Sequence, residues 1–328
     1  MALVSSSDWH QLPVAVTGAS GFVGRQLVND LLAFGVPLRA AIHHRSPANI
    51  RVPSYSLDLV SRRIEDGFLT GARVLVHLAG PAHTYGVDDT YYRSVLLDGG
   101  RWLFESAIRA GVRRIVLVSS CKAGFEFGRD VTEAQPPQPS TSYGRFKLAQ
   151  EQLLRELAQQ HDIESVILRP ALVYGVGVAG NLATWLRRAK SRWLPPLPAG
   201  GARSMVSVAD LSAALQLACV DPRAIGRTFY VTDGRDYLVH ELDQAIRAAW
   251  GQRQSGPGPL AFWQLAAKLG TILMRGGIDA GIDQARLVAL RHHSSCSSQL
   301  LRHELGWRPT QNFYQLLPEM LCSADSAC

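Results

Sequence analysis

The apolar run Pro13-Val14-Ala15-Val16-Thr17 leads directly into Gly18-Ala19-Ser20-Gly21-Phe22-Val23-Gly24. From Phe22 to Leu32 the apolar residues then recur at helical spacing. A short, continuously apolar strand, a glycine turn and a helix in that order are the opening of a βαβ unit built on a buried parallel sheet. The spacing Gly18-x-x-Gly21-x-x-Gly24 lets backbone approach a ligand closely. It also aims the first amides of the helix at that ligand, an arrangement that favours an anion such as a pyrophosphate. The plainer alternative is a tight turn kept for packing alone.

The rest of the first half repeats the rhythm. Residues 38–42, 73–80, 114–120 and 165–170 read as strands, and 91–109 and 143–160 as helices. Strand and helix in alternation predict an α/β fold, a Rossmann-like doubly wound parallel sheet with helices on both faces. Ligands of such sheets sit at the carboxyl ends of the strands. After Pro170 the rhythm breaks, and 194–201 and 252–259 are loops rich in Pro and Gly. We therefore expect a nucleotide-binding domain over 1–170. Residues 171–328 form a smaller mixed α/β substrate lobe, with some segments returning to the core. The apolar stretch 260–274 is interrupted by Lys268 and is shorter than the ~20 residues of a bilayer span, so it reads as a buried or partner-facing helix.

Composition removes several classes. Of 328 residues 47% are hydrophobic and 19% charged, an ordinary globular balance. The net charge of +7 comes from 34 basic residues that are scattered rather than clustered, which argues against a nucleic-acid partner. Cys121, Cys219, Cys296, Cys322 and Cys328 have no metal-ligand spacing and read as free thiols of a reducing compartment. The first ten residues lack the pattern of a signal peptide, and the expectation is a cytoplasmic protein without a transmembrane segment.

Three features carry chemistry. First, the glycine loop, with Ser20, Phe22 and Val23 inside it, is a candidate dinucleotide site. At the end of the second strand, Ile42-His43-His44-Arg45-Ser46 contains no acid to hold a ribose hydroxyl. Arg45, with His44 or Arg39, suits a 2′-phosphate, which favours NADP(H) while leaving NAD(H) open. Asp58-Leu59 is a candidate contact to the adenine edge, or else a helix cap. Second, Tyr143-Gly144-Arg145-Phe146-Lys147 places a phenol and an ammonium on one helical face. An ammonium there is expected to lower the phenol's pKa and fit it for proton exchange with an alcohol or ketone. Third, Ser119-Ser120 ends the strand before that helix, and Ser120 is the favoured partner for the reacting oxygen. Cys121 does not read as a nucleophile.

Taken in order, these motifs resemble the extended short-chain dehydrogenase/reductase superfamily, in its NAD-dependent epimerase/dehydratase branch. The resemblance runs on through Leu168-Arg169-Pro170, Gly180-Asn181, Arg203-Ser204-Met205-Val206-Ser207-Val208-Ala209-Asp210-Leu211 and Leu305-Gly306-Trp307-Arg308-Pro309. It implies Ser120, Tyr143 and Lys147 as the catalytic set, with cofactor contacts also from Leu78, Ala79, Gly80 and Pro170. It implies substrate contacts from His83, Ser119, Lys122, Asn181 and Arg203, the last two toward a nucleotide-sugar diphosphate. Ser119-Ser120-Cys121-Lys122 is similar to a stretch in bacterial nucleotide-sugar 4-keto reductases and 4-epimerases. Leu96 and Gly100 stand where that group carries Asn and Thr. The implied activity is reduction of a nucleotide-linked, UDP-type 4-keto deoxy sugar. The rival readings are a 4-epimerase with bound NAD, a reductase of a non-sugar ketone, and a non-catalytic nucleotide-binding regulator. Dimers are common among related enzymes, so a homodimer is an open option.

Overall fold

The computed structural model describes residues 12–43, 52–81, 88–253, 256–278 and 280–324. His44, Arg45 and His83 lie outside the described residues.

The strands of the first half are β1 (Val14–Thr17), β2 (Leu38–Ile42), β3 (Ser54–Asp58), β4 (Arg63–Ile64), β5 (Val74–His77), β6 (Arg114–Val118), β7 (Gly128–Val131) and β8 (Glu164–Pro170). The second half contributes β9 (Leu172–Tyr174), β10 (Ala202–Ser207), β11 (Thr228–Val231), β12 (Asp236–Leu238) and β13 (Ser294–Cys296). One eight-stranded sheet has the order β11-β8-β6-β5-β1-β2-β3-β4, and its pairings are parallel except for the short β3/β4 hairpin. From β1 the chain winds outward to β2 and β3, and from β5 in the other direction to β6, β8 and β11. The strand order thus reverses between β1 and β5, where a doubly wound sheet opens its ligand crevice. The last strand of this sheet, β11, comes from beyond Pro170 and pairs with β8 over Thr228–Val231.

The helices follow the expected periodicities. α1 (Phe22–Ala33) turns Leu27, Val28 and Leu31 onto the sheet. α2 is a continuous helical run from Asp89 to Arg109 whose middle, Arg93–Gly99, is widened into π geometry. α3 (Ser142–His161) buries Leu153, Leu154 and Leu157 on the same side of the sheet as α2. On the other side α5 (Val208–Val220) packs on α1, with Leu211, Ala214 and Leu215 in the core. Between these lies α4 (Gly180–Arg188), and after α5 come α6 (Val239–Ala249), α7 (Leu260–Arg275), α8 (Gln284–Arg291), α9 (Gln299–Leu305) and α10 (Phe313–Ala324). A second sheet has the order β12-β10-β13-β7, with β9 also paired to β10, and takes β7 from within the first 170 residues.

Two of the motifs prove to be buried ties within the fold. Asp210 accepts from Thr310 N and Thr310 Oγ1 at 2.8 Å each, and its carbonyl accepts from Trp307 Nε1 at 3.1 Å. Arg169 is buried against Glu151, to which it donates at 2.9 and 2.7 Å.

Two elements differ from the sequence expectation. The strand expected over 73–80 stops at His77: the Leu78 amide makes a last ladder bond to the Thr17 carbonyl at 3.3 Å, and the Ala79 amide turns to Thr17 Oγ1 at 3.2 Å. Asp58 caps a turn rather than a helix. It ends β3 and accepts from the amides of Val60 and Ser61 at 2.9 and 3.2 Å. Among the described residues no helix is long and apolar enough to cross a membrane.

Candidate active site

The glycine loop is shaped by close packing. Gly18 has φ +69°, and a Cβ on it would lie 2.8 Å from the Ala79 amide, so the end of β1 is pressed against the chain leaving β5. A Cβ on Gly24 would stand 2.1 Å from the Gly18 carbonyl oxygen, which fixes how tightly α1 follows the turn. The helix opens at Gly21 with no side-chain cap, leaving its first amides available to an anion. Ser20 and Phe22 are half-buried on this loop, and Val23 packs toward the core. Phe22 reaches the lobe, where a Cβ on Gly175 would lie 3.4 Å from its ring. This cradle fits a dinucleotide pyrophosphate. Leu78, Ala79 and Gly80 form its far wall, and a Cβ on Gly80 would lie 3.2 Å from Leu96 Cδ2 and 3.9 Å from Lys147 Nζ.

An acid stands beside the end of β2 on the neighbouring strand. Asp58 Oδ1 stands 3.6 Å from His43 Nε2, at the adjoining ends of β3 and β2. Hydrogen bonds from Ser61 and Val60, with the imidazole nearby, hold its carboxyl below the usual range against a smaller effect of burial. Leu59 beside it is buried. Pro170, at the end of β8, is buried beside Val231.

Across the crevice the start of α3 meets the turn after β6. Thr141 caps the helix by accepting from the Gly144 amide at 3.2 Å. Gly144 has no room for a side chain, since a Cβ there would lie 2.3 Å from the Lys122 carbonyl oxygen. That close approach brings Tyr143 to Ser120, and the two side chains share a hydrogen bond. Tyr143 is buried, with the Tyr92 ring at 5.9 Å between centroids. Burial raises its phenol well above the ordinary value, and the bond to Ser120 only partly opposes the rise.

Lys147 does not lower the phenol's pKa as its spacing led us to expect. Its ammonium reaches past Tyr143 to the Val118 carbonyl at 3.2 Å and Gln150 Oε1 at 3.5 Å. Burial brings its own pKa down to about 8, against the pull of Glu151. Gln150 Nε2 contacts His77 Nε2 at 3.3 Å, and His77 Nδ1 contacts Thr17 Oγ1 at 2.8 Å. His77 is neutral, because burial and then the Lys147 charge depress it to about 3. Sequence reading missed this file behind Lys147. Its one local signal was that Gln150 lies three residues beyond Lys147 on the same helical face. Leu96 is fully buried beside Gly80, and the Gln150 amide occupies the space above Gly100, with Nε2 3.1 Å from where a Cβ would stand.

Of the expected substrate contacts, Ser119 and Lys122 are engaged elsewhere. Ser119 Oγ donates to Glu151 at 2.6 Å inside the Arg169 network, because neighbouring strand residues face opposite ways and Ser120 holds the crevice side. Lys122 Nζ is paired with Glu126 at 2.9 Å. Asn181 is exposed on the first turn of α4. Arg203, half-buried on β10, lies close enough to Cys121 for its charge to act on that thiol, which places it near Ser120. Burial nevertheless raises the Cys121 thiol above its ordinary pKa, which disfavours the thiolate.

A doubly wound sheet, an uncapped glycine-turn helix at its switch point and a Ser/Tyr/Lys cluster on the facing edge define a dinucleotide-binding α/β protein. The comparisons sharpen this. Residues 14–231 match the model of the NAD dependent epimerase/dehydratase family. The chain is 30% identical over 318 residues to UDP-glucose 4-epimerase of Vibrio cholerae, covering 92% of each. It is 28% identical over 322 residues, 89% of this chain and 90% of the relative, to a Stigmatella aurantiaca ketoreductase of a farnesylated dihydroquinoline oxide. Among solved structures, the Thermus thermophilus UDP-glucose 4-epimerase in complex with NAD shares the fold at TM-score 0.74 and 24% identity, over 97% of this chain and all of that one. The protein belongs to the NAD-dependent epimerase/dehydratase family and is an enzyme of the extended short-chain dehydrogenase/reductase type.

Proposed function

We propose that this enzyme reduces the C4 ketone of a nucleotide-linked deoxy sugar, most simply a UDP sugar, with NADPH. The observation that carries the reading is the Ser120–Tyr143 hydrogen bond at the carboxyl edge of the sheet, with the Lys147 ammonium beside it. The nicotinamide cofactor supplies hydride when bound. The uncapped first amides of α1, from Phe22 to Gly24, would hold its pyrophosphate, Leu78 to Gly80 and Pro170 would line its path, and Asp58 would meet the adenine end. Arg45, three residues beyond β2, neutralises a 2′-phosphate. NAD(H) is the alternative cofactor, and the acid of Asp58 beside His43 favours it.

The chain's own part in the reaction is acid catalysis. Ser120 donates to the ketone oxygen and orients it. Tyr143 gives up its phenolic proton to that oxygen as negative charge develops there. Lys147, held by Val118 and Gln150, would position the nicotinamide ribose beside Tyr143. Arg203 and Asn181 anchor the sugar diphosphate, a task that suits the guanidinium fork.

A second reading, reduction of an apolar ketone without a diphosphate, draws support from the likeness to the farnesylated-quinoline ketoreductase. The two are separated by NADPH consumption with a UDP-linked 4-keto-6-deoxy-N-acetylhexosamine, run with NADH in parallel and repeated on Arg203→Ala. Rapid oxidation that slows through a raised KM in Arg203→Ala supports the sugar. An unchanged KM points to the apolar ketone. Equilibration of a UDP sugar without net oxidation of NAD(P)H makes the enzyme an epimerase.

A further inference from the structure

Helix α7 is apolar on two sides. Trp263, Ala267 and Gly270 seat it on the smaller lobe, and Trp263 Nε1 donates to the Pro196 carbonyl at 2.8 Å. Away from that seat, Phe262, Leu265, Leu269, Ile272 and Leu273 are exposed, Leu265 and Ile272 by 60% and 62%. Their spacing of three and four residues draws one stripe along the helix. Gln264, Lys268 and Arg275 fall between the stripe and the seated face.

The charge flanking the stripe is mainly basic, with Asp279 and Asp283 following it in the chain. Residues 180–209 and 244–278 contain no Asp or Glu. Exposed Arg187, Lys190 and Arg192 close α4 and its loop, and Arg253 precedes α7. The same loop carries Trp193, 96% exposed. Hydrogen bonds from Trp263 to Pro196 and from the Gly258 amide to the Leu197 carbonyl, at 2.8 and 2.9 Å, hold that loop beside the start of α7. Arg188 reaches the Ala280 carbonyl at 3.4 Å just past its end.

We propose that this face docks on an anionic phospholipid bilayer, with α7 lying in the plane of the interface. Its 16 residues are too few to span a membrane, but an apolar stripe edged by Lys and Arg is the pattern of an interfacial helix. Trp193 sits at the depth where an indole mixes with headgroups. Charge selects the occupant. In a two-fold contact between copies the patch would meet itself, positive against positive. An anionic surface is complementary and attracts each basic side chain near it.

The test is flotation of the full chain with vesicles of phosphatidylcholine plus phosphatidylglycerol, and with phosphatidylcholine alone. The expected result is recovery with the anionic vesicles only, reduced by salt. Leu269→Glu/Ile272→Glu should lower the bound fraction more than about tenfold without altering the thermal melt. Should that variant fold poorly, tryptophan emission gives an independent reading. Anionic vesicles should blue-shift the parent, and Trp193→Phe should lack that component. Failure to float with anionic vesicles, or a Trp193→Phe protein that shows the parent's shift, overturns the proposal. A parent that scatters light as a dimer and becomes a monomer in Leu269→Glu/Ile272→Glu also overturns it, because a second copy then occupies the face.

Discussion

The Lys147 ammonium donates to the backbone carbonyl of Val118, 3.2 Å away. This contact holds a buried charge at the end of β6, where desolvation lowers its pKa to about 8. The charged form is therefore lost as pH rises through about 8, while the Tyr143 phenol keeps its proton. If Lys147 must be cationic for turnover, kcat/KM for ketone reduction is level below that pH and falls above it. Lys147→Arg should retain some activity and move the alkaline limb out of range. A limb that stays in place in Lys147→Arg belongs to another group.

Tyr143→Phe removes the proposed proton donor without enlarging the site. Turnover should fall by about 10²–10⁴-fold, with cofactor affinity kept. Calorimetric titration of the cofactor alongside NADPH oxidation separates the two effects. A fully active Tyr143→Phe enzyme would remove the phenol from the mechanism.

Gly24→Ala tests the cradle. Its methyl would lie 2.1 Å from the Gly18 oxygen and 2.8 Å from Ala19 Cα, and neither is a flexible side chain. Loss of cofactor binding and about 1–3 kcal/mol of stability are expected, measured by titration and urea melts. Normal affinity would mean that α1 can move off the turn.

Glu151 is fully buried and accepts from Ser119 and twice from Arg169. Glu151→Ala leaves the Arg169 guanidinium without its carboxylate in the core, and should cost about 3–5 kcal/mol in denaturant unfolding. A loss below about 1 kcal/mol would show that water reaches this network.

His77 links stability to acid. Its folded pKa is depressed from 6.5 to about 3, so between those values the unfolded chain holds a proton that the folded protein excludes. Folding stability should therefore fall as pH drops below 6.5, by roughly 2 kcal/mol at about pH 5 from this group. Urea midpoints of the parent and His77→Gln across that window give the measurement. Equal slopes in the two would place the acid sensitivity elsewhere.

The order β1, glycine turn, α1 and the alternation that followed it were legible because they are local. Apolar residues every two or every three to four positions report a strand or helix face without knowledge of what covers it. The Tyr143/Lys147 face was legible for the same reason. Which atoms those side chains meet was not. Lys147 turns to Val118 because the end of β6 passes beneath it, and Ser119 is drawn into the core because Glu151 and Arg169 wait on that side of the sheet. Asp58 comes beside His43 only through the parallel pairing of β3 with β2. Thr17 with His77, Gln150 above Gly100 and Asp210 with Trp307 are likewise contacts across long stretches of chain. The sequence alone determined the doubly wound core and the shared helical face of Tyr143 and Lys147, since both are written in short-range periodicity. Sheet register and close packing decided which of those side chains face the crevice and which hold the core, because that depends on partners far away in the chain.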